Sequence, residues 1–310
     1  MADGIAVSII ICTRNRAAAL RETLAALART ARPPDLAAEL LVVDNASTDG
    51  TRELVRPPAL YLHEPQPGVA RARNTGLAAA RGDVLLFLDD DTRPPAEWLA
   101  PMCRPILAGR ADAVAGGVAL APHLRRAWMR PLHLTWLAAT DYIDPAAPQE
   151  MVSANMALGR HVLARVPGFD PALGPGALGQ GEDALFSWQL LRAGFRIAGA
   201  LDTRVEHHFE PARLSRASFR ETARRRGRTL AYQRHHWEHL ELPDARRRVW
   251  RRRARLALLR VRALRECLPR EGMPEWEMRA IEDIAFLRHW EVERVHPRRY
   301  ERYGLAPLSG

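Results

Sequence analysis

Apolar positions along this chain fall into short runs, each ending in polar residues. Ala6-Val7-Ser8-Ile9-Ile10-Ile11 is almost wholly apolar and gives way to Cys12-Thr13-Arg14-Asn15-Arg16. Leu40-Leu41-Val42-Val43 runs into Asp44-Asn45-Ala46-Ser47-Thr48-Asp49, and Val84-Leu85-Leu86-Phe87-Leu88 runs into Asp89-Asp90-Asp91-Thr92. Runs this short and continuous predict strands covered on both faces, as in a parallel sheet. Between them lie an Ala/Leu-rich stretch reaching Thr30 and the segment Gly68 to Leu77, both read as helices. Strand, helix, strand, helix, strand is the order of a parallel α/β sheet, whose ligands collect at the carboxyl ends of the strands.

Three adjacent carboxylates at such a strand end repel one another unless a cation or a ribose hydroxyl shares them. Mg²⁺ and Mn²⁺ take oxygen ligands alongside substrate phosphates. Asp89, Asp90 and Asp91 therefore read as a metal and diphosphate site, against the plainer reading of a solvated acidic turn with Asp91 or Thr92 as N-cap before Pro94-Pro95. Further along, Gly181-Glu182-Asp183 precedes Leu185, Trp188, Leu190 and Leu191 at helical spacing, which sets both acids in the first turn of a helix. The helix dipole favours an acid there whether or not it is catalytic.

Taken in order, these segments resemble the family 2 glycosyltransferases of the GT-A fold, across roughly the first 215 residues. The resemblance implies an α/β architecture: a GT-A type, Rossmann-like mixed sheet flanked by helices, with a C-terminal helical extension. The catalytic domain would span 1–215, with a nucleotide-sugar half to about 110 and an acceptor half over about 111–215, and a basic helical extension would occupy 216–310. Nucleotide-binding roles are implied for Thr13, Arg14, Asn15, Arg16, Asp44, Asn45, Arg73, Asn74, Asp89 and Asp90. Asp91 would bind the metal with Asp89 and His207, with His208 as the nearer competitor of His207. Asp183 would be the general base, with Glu182 beside it, and Asn155 and Trp188 would belong to the acceptor and sugar pocket.

The activity so implied is a metal-dependent, inverting transfer of a sugar from a nucleoside-diphosphate sugar, most commonly a UDP-sugar, to an acceptor hydroxyl, with Mn²⁺ or Mg²⁺ as cofactor. Its setting would be the biosynthesis of a glycan, glycolipid or glycosylated metabolite. Processive members of the family carry a Q-x-x-R-W motif. Here Gln189-Leu190-Leu191-Arg192 is followed by Ala193, so a single addition is expected. A sugar-phosphate nucleotidyltransferase is the alternative, but it would show a glycine-rich phosphate loop after its first strand, and Thr13 to Arg16 has no glycine.

Composition adds a second theme. The chain has three cysteines, widely spaced and without a C-x-x-C pair, and no basic leader or apolar run long enough to span a membrane, so a reducing cytoplasm is expected. All 46 basic residues are arginine, and the net charge of +10 lies wholly in residues 201–310. A neutral body makes a nucleic-acid-binding protein the least favoured class, and no specific nucleic-acid partner is expected. Over 244–268, Trp250, Ala254, Ala257, Leu258, Val261, Leu264 and Leu268 recur at helical spacing among arginines. Such a helix suits peripheral contact with an anionic membrane surface, or it packs its apolar stripe on the body. Pro274 to Val295 forms a further helical stretch, and the Pro/Ala/Gly-rich segment Pro171 to Gly181 reads as a mobile loop before the base.

Overall fold

The computed structural model describes residues 6–308. Its first part runs β1 (Val7–Thr13), α1 (Ala17–Leu27), β2 (Ala38–Asp44), the single turn α2 (Thr51–Leu54), β3 (Leu60–His63), α3 (Val69–Ala79) and β4 (Val84–Asp89). These four strands are parallel. Their apolar runs are continuous because the sheet is covered on both sides: Ile9, Ile11, Val42 and Leu86 enter one core, and Ile10, Leu41, Val43 and Leu85 the other. α3 lies close on the second face because Gly76 has no side chain; a Cβ there would sit 2.6 Å from Ile10 Cγ2. Register pairs Thr13 with Asp44 and Cys12 with Asp89, so the polar ends of β1, β2 and β4 meet at one edge.

The chain continues as β5 (Thr92–Arg93), α4 (Leu99–Leu107), β6 (Ala113–Leu120), α5 (Pro131–Trp136), β7 (Asn155–Gly159), α6 (Glu182–Arg192) and β8 (Ile197–His207). Here the sheet becomes mixed, as expected. β7 runs antiparallel to β4 and β6, β6 is parallel to β8, and the full order is β3-β2-β1-β4-β7-β6-β8-β5. β5 turns back to pair Thr92 with His207, which carries the end of β8 to the acidic edge of β4.

Three long helices follow: α7 (Arg216–Tyr232), α8 (Ala245–Arg262) and α9 (Glu275–Glu293). Ser215 caps α7 by accepting from the Ser218 N–H at 3.2 Å. α7 and α9 approach closely at Gly227, where a Cβ would lie 2.3 Å from the Glu282 carbonyl. The other side of α7 grips the segment before α6. Thr229 donates to the Gln180 carbonyl at 2.9 Å, Gln233 to the Gly181 carbonyl at 3.1 Å, and Tyr232 and Tyr300 both donate to buried Asp170 at 2.6 and 2.7 Å. The Pro171 to Gly181 segment, expected to be mobile, is thus tied down; Val69 N–H also donates to the Pro175 carbonyl at 2.9 Å.

α8 differs from one of the two sequence expectations for it. It packs through Ala245, Val249 and Leu256, while Trp250, Leu258 and Val261 stay exposed. The stripe read from the sequence therefore does not seat on the body. Among the described residues no helix is long and apolar enough to cross a membrane.

Candidate active site

β1 brings Thr13 to the edge, where its hydroxyl donates to Asp90 at 2.7 Å. Arg16, three residues beyond the strand, reaches both Asp90 and Asp91 at 3.0 Å. Thr23 of α1 donates to the Asp90 backbone carbonyl at 2.7 Å. Both carboxylate oxygens of Asp90 are thus engaged and the residue is buried, so it braces the edge. Desolvation pushes its carboxyl up to about 6, with Arg16 pulling the other way.

Asp91 is buried as well. Its Oδ2 takes Arg16, while its Oδ1 has no hydrogen-bond partner although His207 Nε2 lies 3.2 Å away. His207 Nδ1 sits 3.2 Å from the Leu137 carbonyl oxygen, which only accepts, so that nitrogen carries the hydrogen. As an imidazolium the ring also pairs Nε2 with Asp91 Oδ1; as a neutral ring it turns a lone pair toward that oxygen, an arrangement that a shared cation relieves. Burial opposes ionisation of Asp91, but His207 and Arg16 outweigh it and hold the carboxyl well below the usual carboxylate range. His208 points elsewhere, to Glu206 at 3.1 Å, and gives Asp91 only its backbone N–H. Among the described residues no three His, Cys, Asp or Glu side chains converge as a complete metal cage. Asp91 Oδ1 and His207 Nε2, 3.2 Å apart, are two groups of the kind that ligate a divalent ion.

The second half of the site is the start of α6. Glu182 is buried and its Oε1 accepts from Arg73 Nη1 at 2.5 Å, leaving Oε2 without a partner. Burial and the adjacent Asp183 charge raise its pKa, against Arg73. Arg73 Nη2 donates to Ser153 at 2.6 Å and lies 3.6 Å from Asp89. Arg73 therefore joins the end of β4 to the start of α6 from within the core. Asp183 stays half-buried, with Oδ2 only 3.3 and 3.4 Å from the Ser153 N–H and hydroxyl.

Other residues assigned from the sequence hold loops. Asn45 spends its amide on the Glu64 and Gln66 carbonyls and the Gly68 N–H, and Asn74 pairs with both backbone groups of Phe169. Asn15, at φ 52°, accepts from the Thr48 N–H. Asn155 is fully buried, bonded to Trp98, Gly117 and Thr203. Trp188 is partly exposed on α6 and stacks on Trp237 with centroids 5.8 Å apart. Arg14 is exposed at the β1 tip, and Asp44 accepts from Tyr61 at 2.8 Å and the Ser47 N–H at 2.9 Å. Cys12 shares this edge, but burial pushes its thiol up to about 12, so it is no nucleophile.

Sequence reasoning missed Arg213. Arg213 lies 4.5 Å over the Phe209 ring, in the field of Asp91 and Asp89. No periodicity or motif marks Arg213, which lies in the turn just after β8, the strand that β5 pairs to the acidic edge.

A mixed α/β sheet with carboxylates at one strand edge and an Asp on the facing helix defines the GT-A class of transferases. Residues 8–162 match the model of glycosyl transferase family 2. The succinoglycan biosynthesis protein ExoM of Rhizobium meliloti is 32% identical over 235 residues, 72% of this chain and 72% of that protein. The glycosyltransferase AglE of Haloferax volcanii is 35% identical over 119 residues, 36% of this chain and 39% of AglE, so the match spans less than half of that relative. The mannosyltransferase PcManGT of Pyrobaculum calidifontis, solved with GDP-Man and Mn²⁺, superposes with a TM-score of 0.54 at 21% identity, over 92% of this chain and 70% of that one. GalNAc-T7, solved with UDP, GalNAc and Mn²⁺, gives 0.53 at 18% identity, over 75% and 48%. This chain belongs to glycosyl transferase family 2. The nucleotidyltransferase and nucleic-acid readings are set aside by that membership.

Proposed function

We propose that this chain transfers a single sugar, with inversion, from a nucleoside-diphosphate sugar to an acceptor hydroxyl. The observation that carries the reading is one juxtaposition: an acidic strand edge with an orphaned Asp91 oxygen, joined through Arg73 to a helix that starts with an accessible Asp183. Asp183 Oδ2, loosely held by Ser153, has lone-pair capacity to take the acceptor proton. Arg16 and Arg213 place positive charge beside the acids, where a departing diphosphate needs it. Asp91, His207 and Asp89 would hold Mn²⁺ or Mg²⁺, which when bound supplies charge that offsets the leaving diphosphate. One in-line displacement inverts the anomeric centre.

The neighbours' GDP-Man and UDP support a nucleotide-sugar donor and leave its base to experiment; UDP is the first candidate. ExoM supports a role in glycan assembly. Three free thiols suit a cytoplasmic setting. Thermal melts with UDP, GDP and dTDP, each with Mn²⁺ or with a chelator, test the reading. A binder at a hundred times its Kd stabilises by about 2.7 kcal/mol. If no nucleoside diphosphate shifts the melt with Mn²⁺ present, the assignment of this edge as a donor site fails.

A further inference from the structure

α8 has two apolar stripes, and only one is covered. At 3.6 residues per turn, Trp250, Ala254, Ala257 and Val261 share about 60° of arc, on the side away from the packed Val249 and Leu256. Trp250 is 71% exposed and Val261 75%, and in the turn that follows the helix Leu264 is 61% and Leu268 70% exposed. Isolated exposed apolar residues are ordinary, but a continuous ridge with a tryptophan marks an interaction surface.

The charges sort the same way. Arg246, Arg252 and Arg260 pair with Glu291, Asp283 and Glu277 and bind α8 to α9. Among the described residues Arg247, Arg251, Arg253 and Arg262, which flank the ridge, have no carboxylate partner. No acidic residue occurs between Asp244 and Glu266. Arg253 lies 5.7 Å over the Trp250 ring. It also lines a groove of about 720 Å³ between α7, α8 and α9, where Arg220, Arg224 and Arg288 surround Leu256, Ile281 and Ile284. The Arg220 Nε–H there is buried without an acceptor. Ridge and groove share Arg253 and Ala257 and so form one cationic, apolar-centred face.

We propose that this face docks the protein on an anionic lipid bilayer. Trp250, Val261, Leu264 and Leu268 enter the boundary between headgroups and acyl chains, and the flanking arginines meet lipid phosphates. Charge complementarity selects this occupant. A second copy laid on the ridge would oppose arginine to arginine, and a nucleic acid has no use for an aliphatic ridge. The docking is independent of the transfer chemistry, because none of these residues reaches Asp91 or Asp183.

The test is sedimentation with vesicles of phosphatidylglycerol and phosphatidylcholine, against phosphatidylcholine alone, at low and high salt. The wild-type chain pellets only with the anionic vesicles and is released by salt. Each arginine near the surface contributes about fivefold, so Arg247→Gln with Arg251→Gln, Arg253→Gln and Arg262→Gln lowers partitioning by roughly 10²-fold or more. Trp250→Ser with Val261→Ser and Leu268→Ser abolishes it at any salt. Both variants keep the wild-type melting temperature, since the replaced side chains have little packing. Arg252→Gln, which loses only its exposed pair with Asp283, retains vesicle binding. Wild-type protein that stays in the supernatant overturns the proposal, as do variants that pellet like wild type. So does a ridge variant that changes oligomer mass and not lipid binding, or an arginine variant that loses RNA binding and not lipid binding.

Discussion

Replacing Arg73 with methionine keeps the aliphatic stem of the side chain and removes the guanidinium that joins the two halves of the site. What it leaves behind sets the magnitude. Glu182 is 4% exposed, its Oε2 has no partner and its Oε1 would lose Arg73. Breaking a buried ion pair by removing one partner costs about 3–5 kcal/mol, since the survivor is a desolvated, unpaired charge. With an unfolding entropy of about 2.1 cal/mol/K per residue over 310 residues, that loss lowers the melting temperature by roughly 5–8 °C. Glu182→Gln removes the charge but keeps an acceptor for Arg73, so it should cost less, about 1–3 kcal/mol. The double variant, with neither charge left, should be more stable than the sum of the single losses predicts, by at least about 1 kcal/mol. Scanning calorimetry of the four proteins measures the cycle, and sugar transfer well below the lowest melt reads the consequence for Asp183. Losses that add within about 0.5 kcal/mol would show that Arg73 and Glu182 act independently and that the join between β4 and α6 is incidental.

Four further outcomes are expected. Asp183→Asn should lower transfer by roughly 10² or more with nucleoside-diphosphate affinity nearly unchanged, measured by product formation and by titration; normal turnover would remove it as the base. Asp91→Ala should abolish Mn²⁺-dependent nucleoside-diphosphate binding in calorimetry, whereas His208→Ala should leave it in place. Asp170→Asn weakens the acceptor of Tyr232 and Tyr300 and should cost about 1–3 kcal/mol in denaturant unfolding; a variant as stable as wild type would show that this contact does not brace the loop. Glu293 lies 2.9 Å from His236 and 2.7 Å from His289, which outweigh its burial and hold its carboxyl at about 2, below the ordinary 4.5. A depressed folded value gives stability present above 4.5 and lost as pH falls toward 2, so Glu293→Gln should flatten the melting-temperature loss across that window.

The strands of the donor half were legible because burial on both faces writes itself as unbroken apolar runs, and because each run stops at a polar residue that the sheet edge exposes. Val84 to Asp89 and Leu40 to Asp44 are cases in point. Glu182 and Asp183 were legible for the same local reason, a helical repeat that begins just after them. What the sequence could not carry was the direction in which a polar side chain turns. Asn45 and Asn74 sit among site residues in the chain, yet each spends its amide on backbone groups, because loops that leave the sheet need their carbonyls and N–H groups satisfied. Arg213 was invisible for the opposite reason. It lies 122 positions after Asp91, in the turn that follows β8, and the pairing of β5 with β8 that puts both in one electrostatic neighbourhood has no local signature. On α8 the repeat of apolar residues was real, but two stripes of similar spacing compete, and the one with Val249 and Leu256 found α9.

The acidic triplet shows why repulsion alone is a weak argument for a metal. Three consecutive carboxylates need neutralising charge, and the structure supplies it from within the chain: Arg73 beside Asp89, and Arg16 on both Asp90 and Asp91. A protein that provides its own counter-ions has no electrostatic need for another one. The case for a cation rests instead on atoms. Asp90 has both oxygens occupied, Asp89 keeps about a third of its side chain open with Arg73 to one side, and only Asp91 Oδ1 is buried with no donor and an imidazole nitrogen 3.2 Å away. An arginine could neutralise that oxygen from a distance, but it would leave the imidazole lone pair facing a carboxylate. A cation taking both atoms as ligands resolves the two problems together, which is why loss of either Asp91 or His207 should remove metal-dependent binding, whereas loss of Asp90 should loosen the strand edge first.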